Sequence, residues 1–392
     1  MSKFRSFLLA SAAAFSLAAC NKNNNNTSPT DNNTTLGNWI FSATFGGSGR
    51  YYASSFVIGN YGYVVAGAGN GTTPAATALT DMWRFDPAAN AGTGGWSAGG
   101  QMASLPTGAG RNSGVGFAIN GKGYVGTGST FSSLNQGGTM LNDMWEYDPA
   151  ANTWRPMAPV PGGPRFQAVG FSVGNFGYVG TGRVLDPNNP GTGNTINSLD
   201  FYSFDPTQGT TGTWVPESGL IKDKRFAAQS FVNAGKAYVV GGINESNVAS
   251  TDFEVFTPGT TQGTGVWQRL TPITPISDSS KTSSYTSDLA RCNGVVFVTG
   301  GFAYLSTGST SFQGSVVSTT WMYNFQTDQW VQRTPFETNN NNAATNKPAR
   351  FGAVGFSIGS RVFLGTGTGS ISGSPYSDFT EFQPTAQYNA ND

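Results

Sequence analysis

Hydrophobic residues along most of this chain come in short runs rather than along one face of a helix. The runs combine aromatic, β-branched and small residues, as at 61–65, 122–126 and 236–240. Gly, Asn and Pro separate the runs at short intervals, which is typical of turns between strands. No run after residue 39 has the period of about 3.6 residues that an amphipathic helix requires. The pattern predicts an all-β chain of many short strands.

The runs recur in six sequence units that superpose without a gap. A unit begins with Arg, has Phe six residues later, an aromatic residue at thirteen and Gly at seventeen. In this alignment the fifth unit begins with Ser284, has Phe297 as its aromatic residue and ends the hairpin at Gly301. The other five units begin at Arg50, Arg111, Arg165, Arg225 and Arg350.

Two further positions complete each unit. An Asp opens the third run, and a Trp lies in the fourth run. The fifth unit has Thr319 in place of the Asp. The aspartates are Asp81, Asp143, Asp200, Asp252 and Asp378, and the tryptophans are Trp96, Trp154, Trp214, Trp267 and Trp330. A period of roughly 55 to 65 residues with four strand-like runs is the signature of a repeat protein.

The repeat resembles the kelch motif, in which a glycine pair ends the second strand and a Trp lies in the fourth. Gly241-Gly242 and Gly300-Gly301 match the pair. The resemblance implies an all-β, six-bladed kelch-type β-propeller with one four-stranded sheet per unit. The sixth unit lacks its Trp, whereas Trp39 precedes Arg50 by 11 residues, as Trp154 precedes Arg165. We therefore expect the N-terminal strand to complete the last blade and close the ring.

The N-terminus predicts export. Lys3 and Arg5 precede a short apolar stretch at 7–17, and the sequence Leu-Ala-Ala-Cys ending at Cys20 resembles a bacterial lipobox. We expect a signal peptide at 1–19, lipidation of Cys20, an Asn-rich flexible tether at 20–36, the propeller at 37–384 and a tail at 385–392. An ordinary signal peptide with an incidental Cys20 is the alternative. The predicted location is the bacterial cell envelope, with the lipid as membrane anchor.

Composition excludes several kinds of chemistry. The chain contains 21 Lys and Arg, 21 Asp and Glu, and no His. Zero net charge argues against nucleic acid as a partner, and the lack of His excludes His-based catalysis and zinc sites built on His. The copper enzyme galactose oxidase is a kelch propeller that ligates copper partly through His. This chain therefore resembles that scaffold without its metal site, and we expect no cofactor.

The repeated Arg and Asp residues have two interpretations. Five Arg residues on one face would form a ring for a carboxylate or phosphate. Alternatively, they form structural pairs within each unit, because the fifth unit lacks both partners in this alignment. We favour structural pairs, which are Arg50–Asp81, Arg111–Asp143, Arg165–Asp200, Arg225–Asp252 and Arg350–Asp378.

The fifth unit also supplies the candidate binding residues. Asp288 aligns with Ser54 and Gln229, and Arg291 has no counterpart in the other units. We predict that Asp288 and Arg291 face a central channel and bind a polar ligand together with Tyr285 and Gln229. The alternative is an ion pair that only fills space. Three aromatic residues in long inserts are candidates for contact with sugar or peptide: Phe131, Tyr304 and Phe312.

Two functions remain open. Loop lengths vary most in the connections between second and third strands and between successive units, which share one face of a propeller. The first hypothesis is a non-catalytic, monomeric binding or scaffold protein that engages a glycan or protein partner through this face. The alternative is a carbohydrate enzyme similar to sialic acid (N-acetylneuraminate) mutarotases, which are also kelch propellers. Anomerisation requires only weak acid and base groups and an Arg for the sugar carboxylate.

Overall fold

The computed structural model describes residues 36–69, 78–130, 138–189, 191–273, 288–312, 314–336, 347–389 and 392. These residues form short antiparallel strands and a single 3₁₀ turn at Asn90–Gly92. The fold is a β-propeller, so the predicted all-β class is confirmed. The predicted signal peptide, Cys20 and nearly all of the tether lie outside the described residues.

The described strands form six four-stranded sheets, numbered here by the sequence unit that begins each one. Sheet 1 contains β3 (Ser54–Ile58), β4 (Tyr61–Val65), β6 (Met82–Asp86) and β7 (Gly95–Trp96). Sheet 2 contains β8 (Val115–Ile119), β9 (Lys122–Gly126), β10 (Met144–Asp148) and β11 (Thr153–Met157). Sheet 3 contains β13 (Val169–Val173), β14 (Phe176–Gly180), β17 (Phe201–Asp205) and β18 (Thr213–Glu217).

Sheet 4 contains β19 (Gln229–Asn233), β20 (Lys236–Val240), β21 (Phe253–Thr257) and β22 (Val266–Arg269). Sheet 5 contains β23 (Val295–Thr299), β24 (Phe302–Ser306), β25 (Thr320–Asn324) and β26 (Gln329–Arg333). Sheet 6 contains β27 (Val354–Ile358), β28 (Arg361–Gly365), β29 (Asp378–Gln387) and β1 (Leu36–Thr44). Two small sheets join β2 (Arg50–Tyr51) to β5 (Ala68–Gly69), and β12 (Arg165–Phe166) to β15 (Arg183–Leu185) and β16 (Thr195–Asn197).

The two termini meet in sheet 6. β1 pairs antiparallel with β29, and Trp39 lies opposite Phe382. Trp39 is 2% exposed and occupies the outer-strand position that Trp residues hold in sheets 1 to 5. β29 continues to Gln387, three residues into the predicted tail, and β1 begins at Leu36, the last residue of the predicted tether. Pairing of the chain ends protects strand edges that would otherwise be open.

A ring of backbone hydrogen bonds joins successive sheets. The residue two positions after each repeat Arg donates its N–H to the carbonyl of its counterpart in the preceding unit. The six bonds are 2.8–3.0 Å long and run from Ser113 to Tyr52, from Gln167 to Ser113, from Ala227 to Gln167, from Asn293 to Ala227, from Gly352 to Asn293 and from Tyr52 to Gly352. All six residues have φ between 50° and 62°. The innermost strands thus surround a central channel.

The repeat glycine of each unit also contacts the next unit through its backbone. These six glycines have φ of +86° to +106°, a conformation that side chains disfavour. Each donates its N–H to the carbonyl of the repeat Arg in the next unit, at 2.7–2.9 Å. The glycines are Gly67, Gly128, Gly182, Gly242, Gly308 and Gly367. The constant spacing from Arg to Gly therefore follows from a contact between sheets.

The fifth unit contradicts the sequence alignment. Arg291 donates to the carbonyl of Thr307, sixteen residues later, as Arg50 donates to Ala66. Gly308 therefore is the repeat glycine, and Gly300-Gly301 instead form the hairpin turn between β23 and β24. The alignment that began at Ser284 was wrong by seven residues, because a hairpin Gly-Gly mimicked the repeat pair.

Aromatic residues fill the space between neighbouring sheets. The Phe at position six stacks on the Tyr at position thirteen, with ring centroids 5.1 Å apart for Phe56 and Tyr63. In the fifth unit the same pair is Phe297 and Tyr304, at 5.8 Å. Tyr304 is 3% exposed and belongs to this core, so its prediction as a ligand contact was wrong. Small residues opposite the rings allow close approach: a Cβ on Gly123 would lie 2.4 Å from Phe56.

Candidate functional site

The repeat arginines are enclosed within the sheets. Their side chains are fully buried, and each donates to the backbone carbonyl sixteen residues later. The closest Arg–Asp distances are 2.7 Å for Arg50–Asp81, Arg111–Asp143, Arg165–Asp200 and Arg350–Asp378, and 2.6 Å for Arg225–Asp252. A guanidinium held by a carboxylate and a carbonyl has few free donors. The geometry therefore does not offer a ring of arginines to an anionic ligand.

In sheet 4 the Arg225–Asp252 pair belongs to a larger cluster of charged side chains. Arg225 Nη2 lies 2.6 Å from Asp252 Oδ2 and 3.0 Å from Glu254 Oε1, and Arg269 contacts the other oxygen of Asp252. Burial and the neighbouring Asp252 raise the pKa of Glu254 to about 7. Hydrogen bonding from Glu254 and the two arginines lowers the pKa of Asp252, against the effect of its burial. Glu254 is fully buried, so it acts on stability and not on ligands.

The predicted binding residues of the fifth unit do not meet in the channel. Arg291 is the repeat Arg and is fully buried, so the prediction that it is unmatched and faces a ligand was wrong. Thr319 connects it to Asp288: Arg291 Nη2 donates to Thr319 Oγ1 at 2.7 Å, and Thr319 Oγ1 donates to Asp288 Oδ2 at 2.5 Å. Asp288 thus supplies the carboxylate that Thr319 lacks.

The remaining two predicted residues have different outcomes. Tyr285 lies outside the described residues. Gln229 lies in the wall of the central channel, where its Nε2 donates to the carbonyl of Ala227 at 2.9 Å. Val295, and not Asp288, occupies the equivalent position in sheet 5. The structure therefore brings neither Asp288 nor Arg291 to Gln229 as a ligand site.

The channel contains two stacked cavities of about 230 and 170 Å³. The smaller cavity is bounded by the residues of the backbone ring, four of which have polar side chains: Tyr52, Ser113, Gln167 and Asn293. Gln167 Nε2 donates to Asn293 Oδ1 at 3.2 Å, which joins sheets 3 and 5 across the ring. Burial raises the pKa of Tyr52 far above its usual range, so its phenol stays neutral. The channel mouth therefore presents neutral hydrogen-bonding groups.

Arg183 adjoins this mouth and forms no ion pair with any carboxylate in the part of the chain that the structure describes. Arg183 pairs through its backbone with Phe166, which precedes Gln167, and its guanidinium lies 4.9 Å from the ring centroid of Phe226. Phe226 packs edge-on against Phe312, with centroids 5.2 Å apart. Arg183 Nε is buried without a hydrogen-bond partner, and desolvation lowers the pKa of Arg183. A half-buried guanidinium beside an aromatic wall, with no carboxylate partner among the described residues, suits a carboxylate on a partly apolar ligand.

Sequence reasoning missed Arg183, although a signal was present. Arg183 follows the repeat glycine directly, at a position where the other units have small or aliphatic residues: Ala68, Ser129, Ile243, Ser309 and Thr368. A charged residue at a position that is otherwise uncharged marks a departure from the structural repeat. Of the three aromatic candidates, Phe312 lies at this mouth, and Phe131 lies outside the described residues.

The described part of the chain offers neither a metal-binding cluster nor a membrane-spanning helix. No group of three or more Cys, Asp and Glu side chains there could hold a metal ion. No helix in the same ranges is long and apolar enough to cross a membrane.

Comparisons with known proteins point to one enzyme name. Over 142 residues the chain is 31% identical to N-acetylneuraminate epimerase of Shigella sonnei, covering 36% of this chain and 34% of that protein. Over 142 residues it is 30% identical to N-acetylneuraminate epimerase 2 of Escherichia coli strain CFT073. The matches span about a third of the length of these curated relatives. No protein-family model matches the chain.

A solved structure supports the fold over a much longer span. The structure titled "Structure of YjhT" aligns with a TM-score of 0.62, covering 88% of this chain and 99% of that chain. Sequence identity in this alignment is 15%. The likeness therefore concerns the β-propeller fold.

Proposed function

We propose that this protein is a sugar-acid enzyme that interconverts the anomers of N-acetylneuraminate or a closely similar sugar acid. The observation that carries the proposal is the similarity over 142 residues to proteins named N-acetylneuraminate epimerase. It favours the enzymatic alternative over the non-catalytic binding role that the sequence alone suggested. The kelch-type assignment of the repeat belongs to the same proposal.

The channel mouth supports this chemistry. Arg183 binds the carboxylate, and Phe226 with Phe312 forms an apolar wall for the acetamido methyl group. In anomerisation the anomeric hydroxyl loses a proton and the ring oxygen gains one as the ring bond breaks. Reclosure on the other face of the carbonyl reverses both transfers. The neutral Tyr52 phenol and the Gln167 amide orient the sugar through hydrogen bonds.

The test follows conversion of the α anomer by proton NMR. A sialidase releases α-N-acetylneuraminate from a sialoside, and its decay to the β anomer is timed with and without the protein. We expect the wild type to accelerate this decay. Arg183→Ala should lower kcat/KM by about tenfold or more, mainly through a higher KM, because a charge-assisted contact contributes about 1.5–3 kcal/mol. Lys222→Ala removes an exposed charge from the same face and should retain full activity.

A wild-type protein that leaves the spontaneous rate unchanged would overturn the enzymatic proposal. Binding of sialosides on a glycan array without acceleration would then support the non-catalytic role. Loss of activity in Lys222→Ala equal to that in Arg183→Ala would show that net charge, and not the carboxylate contact, controls the rate.

We also propose that the protein is exported and anchored by lipid at Cys20. The support is the charged N-terminus, the short apolar stretch and the Leu-Ala-Ala-Cys sequence. In a bacterial host, Cys20→Ala should move the protein from the membrane fraction to the soluble fraction. Incorporation of labelled palmitate should be lost at the same time. Membrane association that is unchanged by Cys20→Ala would refute the anchor.

A further inference from the structure

A third cavity lies away from the channel, between sheets 1 and 2. It has a volume of about 640 Å³ and is bounded by the hairpin turns at Gly59 and Pro149. These turns join first to second strands and third to fourth strands, so the cavity opens on the face opposite the long loops. Ligand sites for small molecules commonly have volumes of about 300–1,000 Å³. This cavity therefore has room for a monosaccharide or disaccharide.

Arg84 lies in the cavity wall at a position that varies between units and is Ser203, Val255 and Met322 in sheets 3, 4 and 5. It lies three residues after the repeat Asp, where sheets 2 and 6 have Glu146 and Glu381. Both glutamates are ion-paired, Glu146 with Arg155 at 2.7 Å and Glu381 with Arg361 at 2.6 Å. In sheets 2 and 6 the charge at this position is therefore neutralised by an arginine of the same sheet.

In sheet 1 the charge at this position is opposite to that in sheets 2 and 6. The Arg84 guanidinium lies 4.6 Å from the ring centroid of Tyr61 and next to the Tyr63 hydroxyl. Within the described ranges, no carboxylate forms an ion pair with the Arg84 side chain. Arg84 bounds the cavity, and none of the described residues that bound it with Arg84 is Asp or Glu.

The other groups in the wall are neutral hydrogen-bonding groups. Tyr147 donates its hydroxyl to Asn152 Oδ1 at 2.9 Å, and burial raises the pKa of Tyr147 to about 12. Asn152 in turn donates to the carbonyl of Gln101 at 3.1 Å. Uncharged phenol and amide groups around one cation match the hydroxyl groups and single carboxylate of an acidic sugar.

We propose that the cavity between sheets 1 and 2 is a second binding site, which takes an acidic monosaccharide with its carboxylate on Arg84. This site lies on the other face from the channel mouth and does not depend on the proposed anomerisation. With this site the protein would bind an acidic glycan on one face while N-acetylneuraminate binds at the channel mouth on the opposite face.

The probe is D-glucuronate, and D-glucose is the matched sugar without a carboxylate. Saturation-transfer NMR and calorimetry with the whole protein should show saturable binding of glucuronate and at least about tenfold weaker binding of glucose. Arg84→Met should weaken glucuronate binding by about tenfold to a hundredfold, whereas Arg84→Lys should retain part of it. Lys236→Met removes an exposed charge from the same face, outside the cavity, and should bind as the wild type does.

The outcomes separate this site from the proposed activity. Arg84→Met should leave anomerisation of N-acetylneuraminate unchanged, and Arg183→Ala should leave glucuronate binding unchanged. Equal binding of glucose and glucuronate, wild-type affinity in Arg84→Met, or no saturable binding of glucuronate would each overturn the proposal. Loss of glucuronate binding in Arg183→Ala alone would place glucuronate at the channel mouth and would also overturn it. A thermal melt of Arg84→Met that matches the wild type shows that the variant is folded.

Discussion

Replacement of a repeat arginine should destabilise the propeller more than loss of a surface ion pair. Arg111 is fully buried and makes four hydrogen bonds, to both oxygens of Asp143 at 2.7 and 2.8 Å, to Ala109 O at 3.0 Å and to Thr127 O at 3.1 Å. Arg111→Met removes all four and leaves two buried carbonyls without this donor. An unsatisfied buried polar group costs about 1–3 kcal/mol.

The Asp143 side chain is 37% exposed, so water can solvate its carboxylate once the arginine is gone. The two carbonyls therefore set the magnitude, and we expect Arg111→Met to lower the free energy of unfolding by about 3–5 kcal/mol. Arg111→Lys keeps the charge but cannot bond the carboxylate and the carbonyls together, so it should lose roughly 1–3 kcal/mol.

The assay is urea denaturation followed by tryptophan fluorescence. Lys224→Met is the control, since Lys224 and Glu245 lie 3.6 Å apart with side chains 44% and 62% exposed. Such surface pairs contribute about 0–1 kcal/mol. If Arg111→Met lowers the free energy of unfolding no more than Lys224→Met does, the buried arginine hydrogen bonds do not stabilise the sheets.

Three other predictions concern the repeat. The folded-state pKa of Glu254 is raised to about 7, so protonation of Glu254 stabilises the fold. The free energy of unfolding should therefore rise as pH falls from above 7 towards 5. Glu254→Gln should flatten that rise when thermal melts are recorded at several pH values. Gly128→Ala should lower the free energy of unfolding by about 2–4 kcal/mol, because φ is +92° and a Cβ would lie 2.4 Å from a backbone oxygen. Gly121→Ala is the control: a Cβ there would meet open space, and we expect a loss of about 1 kcal/mol in the same urea denaturation assay. Thr319→Val should lower stability by about 1–3 kcal/mol, because Arg291 loses its hydroxyl acceptor; unchanged melting would contradict this role.

The repeat could be predicted from the sequence because each of its positions has a local or nearest-neighbour cause. Arg recurs because its side chain connects the second and third strands, and Gly recurs because a positive φ is required beside the next unit. The Phe and Tyr positions recur because successive sheets pack through these rings. Patterns of this kind are visible in one chain, so the all-β repeat followed from them, and its resemblance to the kelch motif implied the β-propeller fold.

The fifth unit shows the limit of that reasoning. Gly300-Gly301 resembles the repeat pair in sequence, but it closes a hairpin. Only the contact of Gly308 with the next unit identifies the true repeat glycine. Since Asp288 reaches Arg291 through Thr319, a carboxylate can replace the repeat Asp from a different place in the chain. A gap-free alignment cannot represent that substitution.

The sequence by itself indicated six repeat units and the strand spacing in five of them, excluded His chemistry and predicted an export signal. The tertiary structure decided which charges are free. The sequence marks Arg183 as a departure from the repeat, but it does not show which arginines have a carboxylate partner. Only the folded chain shows that the repeat arginines have carboxylate or hydroxyl partners, whereas among the described residues Arg84 and Arg183 contact aromatic rings and form no ion pair. The partners lie on strands that are distant in sequence.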